Sequence, residues 1–309
     1  MTTLIDNTNK FSTALPSLQR AWDSTSLKLL QECPRKYQYQ MLLGRQPRGT
    51  SIHLSFGIAY HSALELFQHA LADGADRHEA LRTAIRFCLQ WTAPGDHDPY
   101  KNLLTLCRTV VWHCEEYWDD ALPILIMSNG EPAVELSFRF NLEADTPDGE
   151  PFLYCGHLDK VMTDGDDIVF GDYKTTKSAL YDSYFDQFTP NTQMSGYFAA
   201  TQLIFHTPAR YGIIDAAQLL VNSSRFGRRP VHRTPGQLSE WHTTVAWWLS
   251  QAQRFAEENF WPMNENSCGN FGGCSFRHVC ARDPGNRDRF LAADYEQWDW
   301  NPLVIRGDV

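Results

Sequence analysis

The feature that most constrains the fold is the stretch over residues 154–177, which reads YCGHLDKVMTDGDDIVFGDYKTTK. β-Branched and aromatic residues flank a run of turn formers at residues 163–167. This pattern predicts two antiparallel strands joined by a tight turn. We therefore expect a β-hairpin at the centre of the fold.

The charged residues of this hairpin indicate a metal site. Side chains alternate between the faces of a strand, so Asp172 and Lys174 share one face and Tyr173 takes the other. A register that sets Asp159 opposite Asp172 brings two carboxylates within about 5 Å of each other. Such carboxylates raise each other's pKa unless a cation lies between them, and a hard divalent ion is the usual partner. The hairpin predicts a Mg²⁺ or Mn²⁺ site; the alternative is a solvated face with an ion pair worth about 0–1 kcal/mol.

Composition indicates a globular protein. The chain has 309 residues, of which 43% are apolar and 13% aromatic, enough for one large core or two small ones. No apolar run approaches the roughly 20 residues of a membrane span, and the first twenty residues lack the apolar core of a signal peptide. We expect a soluble intracellular protein that does not enter a membrane.

Charge limits where nucleic acid could bind. The formal net charge is -10, so contact with nucleic acid would require a local basic patch. Residues 225–233 provide a candidate with four arginines: Arg225, Arg228, Arg229 and Arg233. A solvated basic loop explains the same residues equally well.

Periodicity places the other elements. Helices are predicted over residues 24–37, bent or ended at Cys33-Pro34 and capped by Ser or Thr, and over residues 55–71, 78–92, 100–120 and 238–260, with a further helix from about residue 191. Strands are predicted over residues 131–142 and 216–222. In the first of these strands, Val134, Leu136, Phe138 and Phe140 are expected on one face and Glu135 on the other.

Two predicted helices carry polar residues four positions apart, which therefore lie on one face. His61 and Glu65 form one such pair, although an exposed or core histidine is the simpler interpretation. Gln193 and Tyr197 form the second pair, for which an ordinary amphipathic helix is the alternative.

The eight cysteines form two groups, and no secretory feature favours a disulfide framework. Buried apolar positions are expected for Cys88, Cys107, Cys114 and Cys155. The second group has three cysteines within thirteen residues that include several glycines, and a fourth more than 230 residues away: Cys33, Cys268, Cys274 and Cys280. Four thiolates predict an iron-sulfur cluster or tetrahedral zinc, with His278 as an alternative ligand. The paired C-x₂-C spacing typical of zinc is missing.

In their order along the chain, these motifs resemble the PD-(D/E)XK nuclease superfamily, specifically its RecB-like iron-sulfur branch, which includes CRISPR-associated, AddB-type and phage exonucleases. The matching positions are Cys33-Pro34 with Tyr37, His61, Glu135, Gly156 with Asp159, Asp172-Tyr173-Lys174, Gln193 with Tyr197, and the last three cysteines. Two positions depart from the pattern. Leu158 replaces the name-giving proline, and the last three cysteines are separated by five and five residues where the family usually has two and five.

The resemblance implies a restriction-endonuclease-like α/β (α+β) fold, with a mixed central sheet flanked by helices. It implies one nuclease domain over residues 1–309, with an N-terminal helical part at 21–130, a catalytic core at 131–225 and a cluster-binding C-terminal part at 226–309.

The resemblance also implies roles for individual residues. His61, Asp159, Asp172 and the Tyr173 carbonyl would hold Mg²⁺ or Mn²⁺, and Lys174 would orient or deprotonate the attacking water. Glu135 would be a supporting carboxylate, while Gln193 and Tyr197 would brace the site and touch the substrate. The four cysteines of the second group would bind a structural [4Fe-4S] cluster, for which Zn²⁺ is the alternative.

The activity expected is metal-dependent hydrolysis of DNA, on single strands or from ends, by a protein that could be phage-encoded and could act with a helicase, recombinase or CRISPR partner. One alternative is a catalytically silent DNA-binding or adaptor protein of the same fold. Another is a redox protein, which would leave the hairpin carboxylates unexplained.

Overall fold

The structure, a computed structural model, describes residues 9–49, 51–95 and 98–304. The chain divides into two compact units. Unit 1 comprises Met1–Arg48, Arg139–Gly156 and Pro235–Ile305, and unit 2 comprises Gly49–Phe138, His157–Thr234 and Arg306–Val309. The carboxylates of the predicted metal site fall in unit 2, whereas the second group of cysteines falls in unit 1.

The helices of the described residues are α1 (Ser24–Glu32), α2 (Pro34–Tyr37), α3 (Ile52–Ala72), α4 (Arg77–Cys88), α5 (Leu103–Glu116), α6 (Asp182–Phe185), α7 (Thr192–Phe205), α8 (Pro235–Glu257), α9 (Arg277–Cys280) and α10 (Arg287–Asp294). A π-helical turn over Gln38–Leu42 follows α2. None of the described helices is long and apolar enough to cross a bilayer.

The strands are β1 (Ala21–Trp22), β2 (Arg45–Pro47), β3 (Val134–Asp145), β4 (Pro151–Asp164), β5 (Asp167–Thr176), β6 (Tyr211–Leu219), β7 (Ser224–Val231) and β8 (Tyr295–Gln297). The main sheet has the order β1-β4-β5-β6-β7, and β3 also pairs with β4. Because β5 and β6 are parallel while β4 and β5 are antiparallel, the sheet is mixed. The α/β class and the mixed central sheet expected from the sequence are confirmed.

The hairpin between β4 and β5 has the predicted register. The ladder runs from Asp164 opposite Asp167 to Lys160 opposite Gly171, and the same register continued by one residue would set Asp159 opposite Asp172. The turn begins at Gly165, whose φ of +63° is a conformation that glycine adopts without strain and that a tight hairpin requires.

Two local expectations were wrong. The cap of α1 is Asp23, whose side chain accepts a hydrogen bond from the Ser26 backbone, and not Ser or Thr at the start of the predicted helix. The basic segment at residues 225–233 is not a loop, because most of it is the edge strand β7, antiparallel to β6. The predicted helix boundary at Cys33-Pro34 is confirmed, since α1 ends at Glu32 and α2 begins at Pro34.

The core of unit 2 is built on the apolar stripe predicted for α3, which is buried against α4 and α5. Its α3 members are Phe56, Ala59, Tyr60, Ala63, Leu64 and Phe67. Tyr173 of β5 belongs to the same cluster. Because neighbouring strand residues face opposite ways, burial of Tyr173 in this core turns Asp172 and Lys174 towards the other side of β5.

In unit 1, the residues around the second group of cysteines form a small core of their own. Tyr39, Phe276, Val279, Leu291 and Tyr295 are buried together, and Cys274 and Cys280 pack against them. The Phe276 and Tyr295 rings are stacked with centroids 4.8 Å apart. These contacts fix the backbone that carries two of the cysteines.

Candidate metal centre

Three side chains from three elements of unit 2 converge on one point. His61 of α3, Glu135 of β3 and Asp159 of β4 each direct a ligand atom to positions within 4.8 Å of one another. His61 Nδ1 lies 3.4 Å from Asp159 Oδ2 and 3.9 Å from Glu135 Oε1. Both carboxylates are buried. One nitrogen and two carboxylates at this spacing are a donor set suited to a divalent cation.

Glu135 reaches this point because its backbone departs from the strand. Its φ is +46°, a left-handed conformation that costs a non-glycine residue of the order of 1–3 kcal/mol. As a result Val134 and Glu135 are both buried, and the alternation expected from the sequence does not hold at this position. Strain of this kind persists where the surrounding structure holds a functional side chain in place.

Asp172 of β5 carries a further carboxylate, which interacts electrostatically with Asp159 and His61 but is not part of the close group of three. Its side chain is fully buried, and Oδ2 lies 2.5 Å from Lys174 Nζ. Among the described residues, nothing donates a hydrogen bond to Oδ1. A buried carboxylate oxygen without a donor is costly, and a cation would satisfy it.

Burial and neighbouring charges shift the pKa values of the titratable groups at this site. Burial raises the pKa of Asp172 to about 6, with Lys174 opposing this shift and Asp159 adding to it. Burial also acts to raise the pKa of Asp159, but His61, Lys174 and the Tyr173 amide outweigh it and the pKa is lowered. Burial acts to lower the pKa of His61, yet Asp159 reverses the shift. The residues present therefore fit a divalent cation, which would lie against two carboxylates that otherwise repel.

The backbone at Tyr173 holds Asp159 in place. The Tyr173 amide donates a hydrogen bond to Asp159 Oδ2 over 2.6 Å. The Tyr173 ring lies edge-on to the His61 ring at a centroid distance of 5.8 Å. The position of Asp159 is thus tied both to β5 and to α3.

The polar pair of α7 reaches the site through Lys174. Gln193 Oε1 lies 3.4 Å from Lys174 Nζ, and Gln193 Nε2 donates to the Tyr197 hydroxyl over 2.9 Å. The Tyr197 ring packs edge-on against Phe170 of β5. Gln193 therefore contacts Lys174 directly, Tyr197 reaches it only through Gln193, and the bracing role of the pair stays a prediction.

Sequence reasoning did not single out Tyr184, whose phenol interacts electrostatically with Asp172. Burial raises the pKa of its phenol to about 12, and the charge of Asp172 contributes to the shift. It belongs to the short helix α6, and no periodicity or motif distinguishes it in the sequence.

A second polar network lies on the opposite face of β5, and the sequence analysis did not predict it. It involves residues that alternate along the strands with the carboxylates of the metal site. Asp215 of β6 is fully buried and lies 2.7 Å from Lys160 Nζ and 2.9 Å from Arg228 Nη2. Lys160 Nζ is also 4.3 Å from the centroid of the Tyr173 ring. An acid inside the apolar run of β6 was the available signal, since a buried charge is almost always paired.

The cysteines predicted to bind a cluster all lie in unit 1, but among the described residues no three of their thiols form a ready metal-binding group. Cys33, Cys268 and Cys274 line one cavity of about 140 Å³. Burial raises the pKa of the Cys280 thiol, and the nearby Cys33 and Cys274 contribute. The longer loop between Cys268 and Cys274 folds back on itself, because the Cys274 amide donates to the Cys268 carbonyl over 2.9 Å.

The four arginines of the basic segment have different surroundings. Arg228 is held by Asp215 and by Asp120, whose carboxylate lies 2.5 Å away. Arg233 donates to Ser195 and to the Phe188 carbonyl. The remaining two are more exposed: Arg225, and Arg229, which pairs with Asp182 at 3.0 Å. Strand alternation sends Arg228 and Arg229 to opposite faces of β7.

The chain matches a family model and is similar to solved structures. The family model described as the PD-(D/E)XK nuclease superfamily matches residues 22–281. No curated protein matches the chain. A structure from Eubacterium rectale titled "Putative exonuclease" is 12% identical, with a TM-score of 0.45 over 84% of this chain and 90% of that one. A structure titled SSO0001 is 11% identical, with a TM-score of 0.36 over 85% of this chain and 86% of that one.

Proposed function

The chain belongs to the PD-(D/E)XK nuclease superfamily, whose members use divalent metals, and on this premise we propose that it hydrolyses DNA with Mg²⁺ or Mn²⁺. The observation that carries the proposal is Asp172, fully buried beside Asp159 with an oxygen that no described residue satisfies. A structural ion pair gives no reason for leaving that oxygen without a donor.

The proposed ligands are His61, Glu135, Asp159 and Asp172, with the Tyr173 carbonyl as a further oxygen. The proximity of His61, Glu135 and Asp159 supports this set, which includes Glu135 as a ligand although the resemblance implied a supporting role. A bound divalent ion lowers the pKa of water and offsets the charge of the scissile phosphate.

Lys174 is proposed as the residue that acts directly on the reaction. Its ammonium lies at the edge of the carboxylate patch, where it adds positive charge beside the phosphate and orients the attacking water. Gln193 positions that ammonium through its side-chain oxygen. One water is consumed for each phosphodiester bond, which leaves one phosphate end and one hydroxyl end.

We further propose that the substrate is single-stranded DNA or a duplex end, cleaved exonucleolytically. Of the basic segment, Arg225 and Arg229 are the residues with exposed side chains that could meet the DNA backbone. A helicase, recombinase or CRISPR-associated partner stays a prediction from the resemblance.

A [4Fe-4S] cluster is proposed for Cys33, Cys268, Cys274 and Cys280. The cavity lined by Cys33, Cys268 and Cys274 supports this proposal. The cluster would hold α9 and the preceding loop against the end of α1. Anaerobic purification followed by an absorbance spectrum and iron, sulfide and zinc analysis separates this proposal from tetrahedral zinc.

The nuclease proposal is tested with oligonucleotides labelled at either end, single-stranded and duplex, with Mn²⁺, Mg²⁺ or chelator. We expect metal-dependent shortening by the wild type and loss of cleavage in Asp172→Asn. Asp166→Asn is the matched control, because Asp166 is an exposed residue of the same hairpin turn. Full activity in Asp172→Asn would overturn the site assignment, and an inactive wild type would favour the silent adaptor.

A further inference from the structure

A second group of cationic side chains in unit 2, well apart from Lys174, is left unexplained by the proposed chemistry. We call His53, Lys101 and Lys177 the distal basic cluster. Lys177 Nζ lies 3.3 Å from Asp98 Oδ2 and 5.0 Å from the centroid of the Tyr100 ring. The other oxygen of Asp98 accepts hydrogen bonds from the Tyr100 and Lys101 amides, over 2.7 and 2.8 Å. Asp98 therefore fixes the loop and one of the two lysines.

Lys101 is the unusual member of the cluster. The residue is only 6% exposed, and its Nζ lies 5.7 Å from the centroid of the Phe56 ring. Among the described residues, no carboxylate lies within salt-bridge distance of this ammonium and no acceptor receives a hydrogen bond from it. Burial and the charge of Lys177 lower the pKa of Lys101 more than the carboxylate of Asp98 raises it, so a bound anion would stabilise the ammonium.

The first turn of α3 adds donors to the same region. Ser51 stands at the N-cap, but its side chain makes no capping hydrogen bond, and the amides of the first turn have no partner within the helix. His53 lies in this turn and is exposed. Burial, Lys101 and Lys177 lower the pKa of His53 more than Asp98 raises it. The N-terminal end of a 21-residue helix is itself favourable for an anion.

The cluster stands at a definite distance from the metal centre. His61 follows His53 by eight residues on α3, about 12 Å along the helix axis. Lys177 follows Lys174 by three residues at the end of β5, about 10 Å along the strand. Gly57 lies between the two histidines on α3, and a Cβ at this position would meet no atom within 4 Å. The space beside the helix is therefore open.

We propose that the distal basic cluster binds a backbone phosphate of the substrate strand a few nucleotides from the scissile bond, an inference that rests on the proposed function. The spacing fits, since nucleotides advance by about 3.4 Å in B-form and by more in an extended strand. The ligand is a phosphodiester and not a base, because ammonium groups and helix amides contact phosphate without reading sequence. The cluster thereby sets how the strand lies across the metal centre.

The first test measures binding of a fluorescent single-stranded oligonucleotide over a range of salt concentrations, in an Asp172→Asn background that prevents cleavage. Loss of one phosphate contact lowers the slope of log K against log salt by about 0.7 in magnitude. We expect this decrease, and roughly tenfold weaker binding at low salt, for Lys101→Gln and for Lys177→Gln. Lys101→Arg keeps the charge and is expected to bind like its parent.

Arg86→Gln is the matched control, since it removes one exposed positive charge from α4 of the same unit. Lys177 is partly exposed, so its variant keeps the test valid if replacement of the buried lysine disturbs folding. Equal salt slopes for Lys177→Gln and Arg86→Gln would overturn the subsite.

The second test replaces single phosphates of the oligonucleotide with neutral methylphosphonates. For the parent Asp172→Asn protein, a methylphosphonate at one linkage a few nucleotides from the cleavage position should weaken binding. For Lys101→Gln in the same background, which already lacks the contact, that replacement should weaken binding no further. A wild type that neither binds nor cleaves DNA would overturn both the nuclease proposal and the subsite. Binding and cleavage that are insensitive to that linkage would overturn the subsite alone.

Discussion

Replacing Asp215 with Asn tests whether the buried ion network behind the metal centre stabilises the sheet. At the 2.7 Å between Asp215 Oδ2 and Lys160 Nζ, the Coulomb attraction is about 6 kcal/mol for an effective dielectric constant of 20. Desolvation of the two charges offsets much of this. Loss of the carboxylate leaves the Lys160 ammonium with only its contact to the Tyr173 ring, whereas Arg228 still forms an ion pair with Asp120. We expect the free energy of unfolding to fall by about 3–5 kcal/mol.

Lys160→Met is expected to cost less, about 1–3 kcal/mol, because Arg228 still lies 2.9 Å from the remaining carboxylate. The assay is urea unfolding of the wild type, both single variants and the double variant, from which the coupling free energy follows. We expect a coupling of at least about 2 kcal/mol, since the second substitution removes the charge that the first left unpaired.

The control is a second double-mutant cycle on Arg254 and Glu258 of unit 1, which lie 2.8 Å apart but have exposed side chains. That pair should couple by no more than about 0.5 kcal/mol. A coupling between Lys160 and Asp215 as small as in the exposed pair would refute the reasoning.

Three further predictions concern separate parts of the fold. Burial lowers the pKa of His113 to about 4, so the unfolded state binds more protons between about pH 6.5 and 4, and up to about 3 kcal/mol of stability is lost as pH falls through that window. Urea unfolding at pH 7 and 4.5 should show a smaller loss for His113→Asn, and equal losses would contradict this. Gly171→Ala would place a Cβ 2.4 Å from Lys160 Cε, so thermal unfolding should show a cost of about 1–3 kcal/mol, and an unchanged midpoint would exclude the clash. Cys274→Ser should lose bound iron while the control Cys107→Ser retains it; equal iron content in the two variants would remove Cys274 from the ligand set.

The hairpin could be predicted because its signals are local. Turn formers at Gly165 and its neighbours fix where the chain reverses, and alternation fixes which side chains share a face. Together they determine the register of Asp159 against Asp172. The cap of α1 was assigned wrongly because Asp23 and the following Ser and Thr are all good capping residues, and only the backbone geometry distinguishes them.

The remaining features depend on contacts between residues distant in sequence. The left-handed backbone of Glu135 is imposed by its surroundings, and no propensity indicates it. Residues 225–233 were wrongly assigned to a loop because arginine and glycine suggest an exposed segment. In the structure, Arg228 lies within a strand, where Asp215 and Asp120 offset its charge. The burial of Lys101 beside Phe56 likewise appears only when its neighbours are known.

The most direct test of the central claim, that His61, Glu135, Asp159 and Asp172 hold one divalent ion, is a Mn²⁺ titration followed by electron paramagnetic resonance. The account predicts one tightly bound ion per chain in the wild type and in Asp166→Asn, and affinity at least about tenfold weaker in Asp159→Asn. Equal Mn²⁺ affinity in Asp159→Asn and the wild type would contradict it.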